Sequence, residues 1–291
     1  MIKGSITALV TPFKDGALDE TAFQEFVEWQ IANGTHGLVP CGTTGESATL
    51  TIEEHNRVIS LCVEAANGRV PVIAGAGSNE TVISVSFAQH AKDLGADAAL
   101  VVTPYYNKPN QEGIYQHFKA IADSVDIPIV VYNIPGRSVV DISNETMGRL
   151  SKLPTVIACK DATGDISRVV ELNDLCGDDF IQLSGDDAST LGHGAHGGRG
   201  AITVVANVAP KLYSDFQNAC LSGDFVTARE LNRKLDRLHH DLFMDPNPAP
   251  TKYALSLMGK MSAEVRLPMV PCSNKVKAAV EAAMTRAGIG W

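Results

Sequence analysis

The chain has 291 residues, of which 45% are hydrophobic and 20% are charged, and its formal net charge is -9. This composition is ordinary for a globular enzyme, and the length suits either one large barrel with an appendage or two domains. The negative charge argues against a nucleic acid or an anionic membrane surface as the partner.

The N-terminus and the cysteines bear on the compartment. Residues 1–5 lead directly into a strand-like segment without a long apolar leader, and no apolar run approaches the roughly 18 residues of a membrane span. We therefore expect a cytoplasmic protein that does not cross a membrane. The six cysteines contain no C-x-x-C pair, which favours reduced thiols over a zinc or redox centre. Cys159 beside Lys160 could be a nucleophile, but a small buried hydrophobe is the favoured interpretation.

Strand-like apolar runs recur along the chain, separated mostly by segments of helical periodicity. The runs begin near Ser5, Gly37, Pro71, Ala98, Pro128, Thr155, Phe180 and Ala201. The clearest helix is predicted at residues 20–32 with Asp19 as its N-cap, and residues 81–94 and 112–121 behave similarly. Alternating strands and helices indicate a parallel α/β sheet, and eight repeats favour closure into a TIM (β/α)8 barrel. An open doubly wound sheet is the alternative, but the glycine-rich fingerprint typical of that fold does not follow the first strand.

The rest of the chain predicts helices and no further strand. The candidate helices are residues 211–221, 225–243, 253–257 and 274–287, and proline-rich residues 245–250 form a rigid connection. We expect a catalytic barrel over residues 1–223 and a small C-terminal helical domain over residues 224–291. The tail should pack on the barrel because its helices are too few and too short to hold a large core.

In a barrel, functional groups follow the C-terminal ends of the strands. Lys160 stands at the end of the apolar run that begins at Thr155. An ammonium in a low dielectric loses hydration, which favours the free amine, a nucleophile that forms a Schiff base with a carbonyl substrate. The alternative is a structural lysine that snorkels from the strand end or pairs with Asp161.

The loop after the second run also carries unusual groups. Residues 42–47 (GTTGES) offer the hydroxyls of Thr43 and Thr44 and backbone N–H groups between glycines, which suit a small carboxylate. An ordinary turn leading into the next helix is the alternative.

Tyrosines and an arginine follow two further runs. Tyr105 and Tyr106 come after the fourth run and Tyr132 ends the fifth, where they could relay protons or simply pack their rings over the barrel. Arg137 lies in the Pro-Gly loop after Tyr132, and its planar guanidinium suits a bidentate contact with a carboxylate. A solvated loop arginine is the alternative.

The histidines and one glycine pattern point to no further site. Residues 192–197 match G-x-G-x-x-G, but a strand follows them rather than a helix, so dinucleotide binding is rejected. His193 and His196 lack acidic or cysteine partners and are interpreted as loop histidines, and we expect no metal site. His239 and His240 on the long tail helix are expected to face solvent.

Taken together, the motifs resemble the dihydrodipicolinate synthase family. The matching segments are residues 42–46 (GTTGE), 103–106 (TPYY), 132–138 (YNIPGRS), 156–161 (VIACKD) and, in the tail, 247–252 (NPAPTK). Their order and spacing match over nearly the whole chain, and the set is highly specific for pyruvate-dependent, lysine Schiff-base aldolases. Residues 136–138 point to the synthase rather than to N-acetylneuraminate lyase, whose version of this loop lacks the arginine.

The resemblance implies a catalytic set. Lys160 would condense with pyruvate to give an imine and then an enamine, without any other cofactor. Thr44, Tyr132 and Tyr106 would form a proton relay, with Tyr132 as the general acid and base. The expected product is 4-hydroxy-tetrahydrodipicolinate, on the route to diaminopimelate and lysine.

It also implies a substrate-binding set. Thr43 and Thr44 would hold the pyruvate carboxylate, Arg137 would bind the carboxylate of L-aspartate 4-semialdehyde, and Gly185 and Ile202 would line the pocket mainly through backbone groups.

Assembly and regulation follow from the same resemblance. Tyr106 would enter the site from a neighbouring subunit, which implies a tight dimer and commonly a homotetramer built as a dimer of dimers. The lysine feedback site of the family maps to Ser47, Ala48, His55, Asn79 and Tyr105. Two further positions are Ile52 and Ile83 here, and an isoleucine cannot replace the glutamate that would bind the effector's ammonium at position 83. We therefore predict weakened or absent inhibition by lysine.

Two rival functions stay open on the sequence. One is a related lyase that uses the same Schiff base with a longer sugar acid or keto acid. The other is a catalytically silent barrel that binds a small ligand or a partner.

Overall fold

The computed structural model describes residues 2–291, in which parallel strands alternate with helices. The strands are β1 (Gly4–Ala8), β2 (Phe13–Lys14), β3 (Ala17–Leu18), β4 (Gly37–Val39), β5 (Ile73–Gly75), β6 (Ala98–Val102), β7 (Ile129–Asn133), β8 (Val156–Asp161), β9 (Ile181–Ser184) and β10 (Gly200–Thr203). All of them except β2 and β3 belong to one eight-stranded sheet.

The helices wrap the sheet and then continue beyond it. They are α1 (Glu20–Ala32), α2 (Ile52–Ala66), α3 (Thr81–Asp93), α4 (Gln111–Ser124), α5 (Pro135–Ser138), α6 (Asn144–Leu150), α7 (Arg168–Cys176), α8 (Thr190–Ala195), α9 (Pro210–Leu221), α10 (Phe225–Asp241), α11 (Ala249–Leu257) and α12 (Asn274–Ala287). Short 3-10 helices occur at Ser47–Thr49 and Val205–Asn207. None of the helices between residues 2 and 291 combines the length and the apolar character needed to cross a membrane.

The sheet closes on itself as a barrel. Its strand order is β4-β1-β10-β9-β8-β7-β6-β5, with parallel pairing throughout. The two ends meet through a parallel bridge between Leu38 and Val72, and the Gly75 amide donates to the Pro40 carbonyl at 3.0 Å. This closure confirms the TIM-barrel prediction and excludes the open doubly wound sheet.

Two apolar layers follow from the alternation of side chains along the strands. The inner layer fills the barrel and is made of Ile2, Ile6, Ala8, Val39, Ile73, Ala98, Leu100, Val130, Tyr132, Ala158, Leu183 and Ile202. The outer layer lies between the sheet and the helices, where Phe23, Phe26 and Val27 of α1 are fully buried. The barrel is therefore a packed core whose functional groups must lie at its ends.

The helices that follow β10 pack on one another and on the barrel. Helix α10 lies against α9 and α12, and α11 contacts α12 and the 3-10 turn at Val205–Asn207. The predicted helices of the tail are confirmed, as is Asp19 as an N-cap, since its side chain accepts from the Ala22 amide at 3.0 Å. A domain boundary at residues 223 and 224 remains a prediction.

A β-hairpin between β1 and α1 was not predicted. Strands β2 and β3 pair antiparallel around Asp15 and Gly16, which both have positive φ. An Asp-Gly pair between short strands is typical of a type I′ turn, so the signal was present in the sequence. The hairpin buries the Phe13 ring completely.

Three local predictions were wrong. His239 is 4% exposed and does not face solvent, because its side of α10 packs edge-on against the Tyr213 ring, with the centroids 6.3 Å apart. His193 lies buried on α8 rather than in a loop, although a strand does follow this segment. Arg137 belongs to the single helical turn α5, which begins at a proline, a residue favoured at the first helical position.

Candidate active site

Lys160 and Tyr132 meet at the C-terminal ends of neighbouring strands. They are register partners in the β7–β8 pair, and the Lys160 ammonium nitrogen Nζ lies 4.0 Å from the centroid of the Tyr132 ring. Both side chains are buried, with 7% and 5% of their surface exposed. The predicted nucleophile and the predicted proton-transfer residue can therefore contact the same small substrate.

One structural alternative for Lys160 is a pairing with Asp161. Asp161 instead forms an ion pair with Arg168, with Nε 2.9 Å from Oδ2, and accepts two further hydrogen bonds from Thr163. Lys160 is thus left free of this carboxylate. Burial raises the pKa of the neighbouring Cys159 thiol, so Cys159 stays protonated and acts as a core residue.

Gly185 follows β9 beside the Lys160 side chain, and Ile202 lies on β10. A Cβ atom at position 185 would come within 2.9 Å of Cε of Lys160, so only glycine leaves room for the lysine chain. The Gly185 amide donates to the Asp161 carbonyl at 2.6 Å, and Ile202 points into the barrel interior on β10. Gly185 therefore lies against the Lys160 side chain at this end of the barrel.

The loop after β4 presents Thr43 at the surface and holds Thr44 inside. Thr44 is 4% exposed. The loop is built from turns in which the Gly45 amide donates to the Gly42 carbonyl and the Glu46 amide to the Thr43 carbonyl, both at 3.1 Å. Thr11 adds a hydrogen bond from its hydroxyl to the Gly45 carbonyl at 2.7 Å. The two threonines are therefore held in a rigid loop beside the barrel mouth.

Residues of the helical tail reach back to this loop. The Asn247 side-chain amide donates to the Thr44 hydroxyl at 2.9 Å. Lys252 is fully buried and pairs with Glu46, and the Arg266 amide donates to the second carboxylate oxygen of Glu46 at 2.9 Å. Burial lowers the pKa of Lys252, while the Glu46 carboxylate acts in the opposite direction. The tail thus fixes the loop that carries Thr44.

Sequence reasoning did not find these contacts. The sequence identifies Asn247 and Lys252 only as members of a motif in the tail, and Glu46 only as a member of the loop. A lysine within the otherwise uncharged helix α11 is a signal of a buried charge. Its partner lies 206 residues away in sequence, so no local pattern could have identified it.

A cavity of about 490 Å³ opens beside the barrel mouth. Thr43, Arg137, Ile134 and Asn247 contribute to its wall. The Arg137 side chain is exposed, and within residues 2–291 it forms no ion pair. Lys160 and Tyr132 do not line this cavity and lie in the barrel interior. The cavity therefore offers a cationic wall for an anion that approaches the mouth.

The predicted effector residues line the same cavity in part. Ser47, Ala48, His55 and Tyr105 contribute to it, whereas Asn79 does not, although its neighbours Gly77 and Ser78 do. The His55 ring stacks on Phe87 with centroids 4.3 Å apart, and burial lowers the pKa of His55. A neutral imidazole stacked on an aromatic ring gives this part of the wall an apolar character.

The Tyr106 side chain is exposed to solvent and has no hydrogen-bond partner among residues 2–291 of its own chain. Its side chain is 87% exposed and its backbone is left-handed, with a φ of 68°. Thr44 has Asn247 as its hydrogen-bond partner, so the predicted relay of Thr44, Tyr132 and Tyr106 is not assembled within the described part of one chain. Among the same residues, no three His, Cys, Asp or Glu side chains cluster as metal ligands would.

Comparisons with known proteins agree with one another over the whole chain. The sequence model of the dihydrodipicolinate synthetase family matches residues 1–287. A curated relative from Afipia carboxidovorans, named 4-hydroxy-tetrahydrodipicolinate synthase, is 58% identical over 287 residues, which cover 99% of this chain and 97% of the relative. A relative of the same name from Methylobacterium radiotolerans is 58% identical over 288 residues, covering 99% of this chain and 96% of the relative. The solved structure of a chloride-inhibited dihydrodipicolinate synthase from Acinetobacter baumannii, complexed with pyruvate, superposes with a TM-score of 0.98 at 45% identity and covers 100% of both chains.

Proposed function

The chain belongs to the dihydrodipicolinate synthetase family, and on that premise we propose how its residues carry out the reaction. The activity is that of a 4-hydroxy-tetrahydrodipicolinate synthase, a lyase of class I aldolase type in lysine and diaminopimelate biosynthesis. It condenses pyruvate with L-aspartate 4-semialdehyde. The observation that carries the mechanism is the buried contact between Lys160 and Tyr132 at the barrel mouth.

Lys160 begins the reaction as a nucleophile. Its amine attacks the ketone carbon of pyruvate, the adduct loses water, and an imine forms between Nζ and that carbon. Loss of a proton from the pyruvate methyl group gives the enamine. The amine itself activates the carbonyl, so the reaction needs no other cofactor. The support for this role is the burial of Lys160 together with its separation from Asp161.

Tyr132 moves protons during these steps. Formation of the imine requires a proton on the departing oxygen, and the later aldol addition requires one on the aldehyde oxygen. Tyr132 is the titratable side chain in contact with Lys160. Thr44 and Tyr106 would connect its hydroxyl to solvent, with the tyrosine supplied as Tyr106 of the partner subunit.

Two groups of residues bind the carboxylates. Thr43 and Thr44 would hold the pyruvate carboxylate through hydroxyl and backbone N–H groups, while Gly185 and Ile202 shape the pocket around the imine. Arg137 would bind the carboxylate of the semialdehyde in the 490 Å³ cavity, where it has no ion-pair partner among the described residues. A planar guanidinium suits bidentate binding of that group.

The second half of the reaction releases the lysine. The enamine carbon attacks the aldehyde carbon of the semialdehyde, and the resulting alkoxide takes up a proton. The amino group of the semialdehyde then displaces Lys160 from the imine carbon, which closes the ring and regenerates the free amine. One molecule of water is released per product, the one lost in forming the first imine.

We further propose a cytoplasmic homotetramer built as a dimer of dimers. The exposed Tyr106, with its left-handed backbone, supports exchange of this side chain across a dimer. The cysteines are all free thiols in residues 2–291, which supports a reducing compartment.

Trapping with borohydride tests the Schiff base. Protein incubated with pyruvate and borohydride should gain the mass of one reduced pyruvate per chain, and peptide mapping should place it on Lys160. Lys160→Ala should gain nothing. Lys152→Ala, which removes an exposed lysine, is the matched control and should label as the unsubstituted protein does. Labelling that persists in Lys160→Ala would overturn this assignment.

A coupled assay tests the second substrate. Turnover should require L-aspartate 4-semialdehyde, and longer sugar-derived aldehydes should be poor replacements. A preference for a longer aldehyde would identify the related lyase instead. A chain that neither labels nor turns over would be the silent barrel.

A further inference from the structure

Asn247 lies outside the barrel, contributes to the wall of the 490 Å³ cavity and contacts the Thr44 hydroxyl through its side-chain amide. It is 5% exposed, and its Nδ2 lies 2.9 Å from Oγ1 of Thr44. Its Oδ1 accepts a hydrogen bond from the Thr251 hydroxyl at 3.4 Å, one turn along α11. Because Thr251 donates to the oxygen, the amide nitrogen is the atom that faces Thr44.

The direction of this hydrogen bond restricts what Thr44 can do. A hydroxyl has one proton to donate and two lone pairs that accept, whereas an amide NH₂ group can only donate. Asn247 therefore occupies one lone pair of Thr44 and cannot take its proton. The hydroxyl proton and the remaining lone pair are left for partners on the other side of Oγ1, where a relay needs one group to give a proton and another to receive it.

We propose that Asn247 is a positioning residue, whose side-chain amide orients the Thr44 hydroxyl so that it relays protons in one direction. This inference rests on the proposed function, in which Thr44 belongs to the relay. Asn247 acts on the relay through Thr44, and it also contributes to the wall of the cavity in which the semialdehyde would bind. The helical tail thus contributes to catalysis by setting the direction in which the Thr44 hydroxyl donates its proton.

The surrounding contacts keep this hydrogen bond in place. Three residues of the tail are tied to the loop of Thr44: Asn247 itself, Lys252 through Glu46, and Arg266 through the same carboxylate. Thr251 and Lys252 are fully buried. The amide therefore faces the hydroxyl from a rigid support, which is what a positioning role requires.

Replacement of the amide by a carboxyl group reverses the hydrogen bond at nearly constant shape. In Asn247→Asp, an ionised carboxylate can only accept, so it takes the Thr44 proton out of the relay. We expect kcat to fall about 100-fold, the lower range for a positioned proton-transfer group, and KM for the semialdehyde to rise, because the new carboxylate stands in the wall of the cavity. Asn247→Ala, which removes the contact without diverting the proton, should cost only about 10-fold.

The pH profile separates this role from a structural one. A protonated carboxyl group can donate to Thr44 as the amide does, so the ratio of Asn247→Asp activity to unsubstituted activity should rise as pH falls. Asn274→Asp adds the same charge on an exposed site of the tail and should show a constant ratio near one. A constant, low ratio for Asn247→Asp, or a loss that is larger for Asn247→Ala, would overturn the proposal.

A double-mutant cycle tests whether the effect passes through Thr44. With Thr44→Val as background, Asn247→Asp should lower kcat by less than twofold, because the group it orients is gone. Independent, multiplied effects would contradict the proposal. Melting temperatures within a few degrees of each other would show that all variants fold. If the unsubstituted chain fails in the coupled assay, the proposed function fails; if it turns over and only the cycle is additive, the role of Asn247 alone is refuted.

Discussion

Lys252 and Glu46 form an ion pair that is closed to solvent, with Nζ 2.5 Å from Oε1 and 0% and 3% of the two side chains exposed. Lys252 also donates to the Glu264 carbonyl at 2.7 Å, and its ammonium lies 4.2 Å from the centroid of the Phe13 ring. The pair joins helix α11 to the loop of Thr43 and Thr44. Removal of one partner would leave the other charge buried without compensation.

We expect Lys252→Met to destabilise the protein by about 3–5 kcal/mol, the usual effect of breaking a buried ion pair. The double variant Glu46→Gln/Lys252→Met should recover most of the loss, because glutamine can still accept from the Arg266 amide. Urea unfolding at one fixed protein concentration measures both. Equal instability of the single and double variants would show that the lysine contributes by packing rather than by charge.

Arg137→Ala should raise KM for L-aspartate 4-semialdehyde by about 10-fold to 100-fold, as expected for the loss of charge-assisted hydrogen bonds to a carboxylate. KM for pyruvate should change little, because Thr43 and Thr44 hold that carboxylate. Steady-state kinetics with each substrate varied in turn make the distinction. Arg149→Ala is the control, since this arginine pairs with Glu112 on the outer surface. A rise in KM for pyruvate alone would show that Arg137 binds pyruvate and not the semialdehyde.

Lysine should inhibit weakly, with most of the activity retained at ~1 mM effector. The reason is the side chain at position 83, an isoleucine on α3 that cannot pair with an ammonium. Ile83→Glu should increase sensitivity about 10-fold or more by supplying that charge, whereas Ser86→Glu, one turn further on an exposed site, should not. Inhibition of the unsubstituted chain by micromolar lysine would refute the prediction.

The free energy of unfolding should decrease as the pH is lowered, over a pH range set partly by His193. Burial lowers the pKa of this side chain to about 4, against roughly 6.5 in an unfolded chain. Between these values the unfolded state binds a proton that the native state does not, so the free energy of unfolding decreases as pH falls from about 6.5 to about 4. The slope should be about 1.4 kcal/mol per pH unit for this one residue.

His193→Phe tests that slope, because neither ring nitrogen of His193 has a hydrogen-bond partner to lose. The free energy of unfolding, measured between pH 4 and pH 7, should depend less steeply on pH in this variant, by about one proton. An unaltered slope in His193→Phe would mean that other groups titrate in this window.

The strands and the position of Lys160 at the end of one of them could be predicted because their signals are local. Eight apolar runs, each followed by helical periodicity, specify the barrel, and the position of Lys160 at the end of one run places it at the mouth. Asp19 was predicted as an N-cap for the same reason, since capping depends on the next three residues. The segment around Lys160 did not by itself predict a catalytic role. That prediction depended on the other motifs in the sequence.

The errors concern contacts between distant segments. His239 looked solvent-facing on a polar helix, but that helix packs against α9 and brings the ring beside Tyr213. Asn247 and Lys252 act on a loop some 200 residues earlier in sequence. Tyr106 illustrates a different limit, because its predicted place requires a second copy of the chain.

The junction of β4 and β5, closed by the single bridge between Leu38 and Val72, has a mechanical consequence. Few backbone hydrogen bonds join β4 to β5, and the loop of Thr43 and Thr44 follows β4 at this junction. On the barrel side the loop is held by its own turns and by the Thr11 hydroxyl. The tail holds the other side of this loop through its contacts with Thr44 and Glu46. A chain shortened to the barrel alone should therefore keep a closed sheet but have a less rigid loop at the barrel mouth.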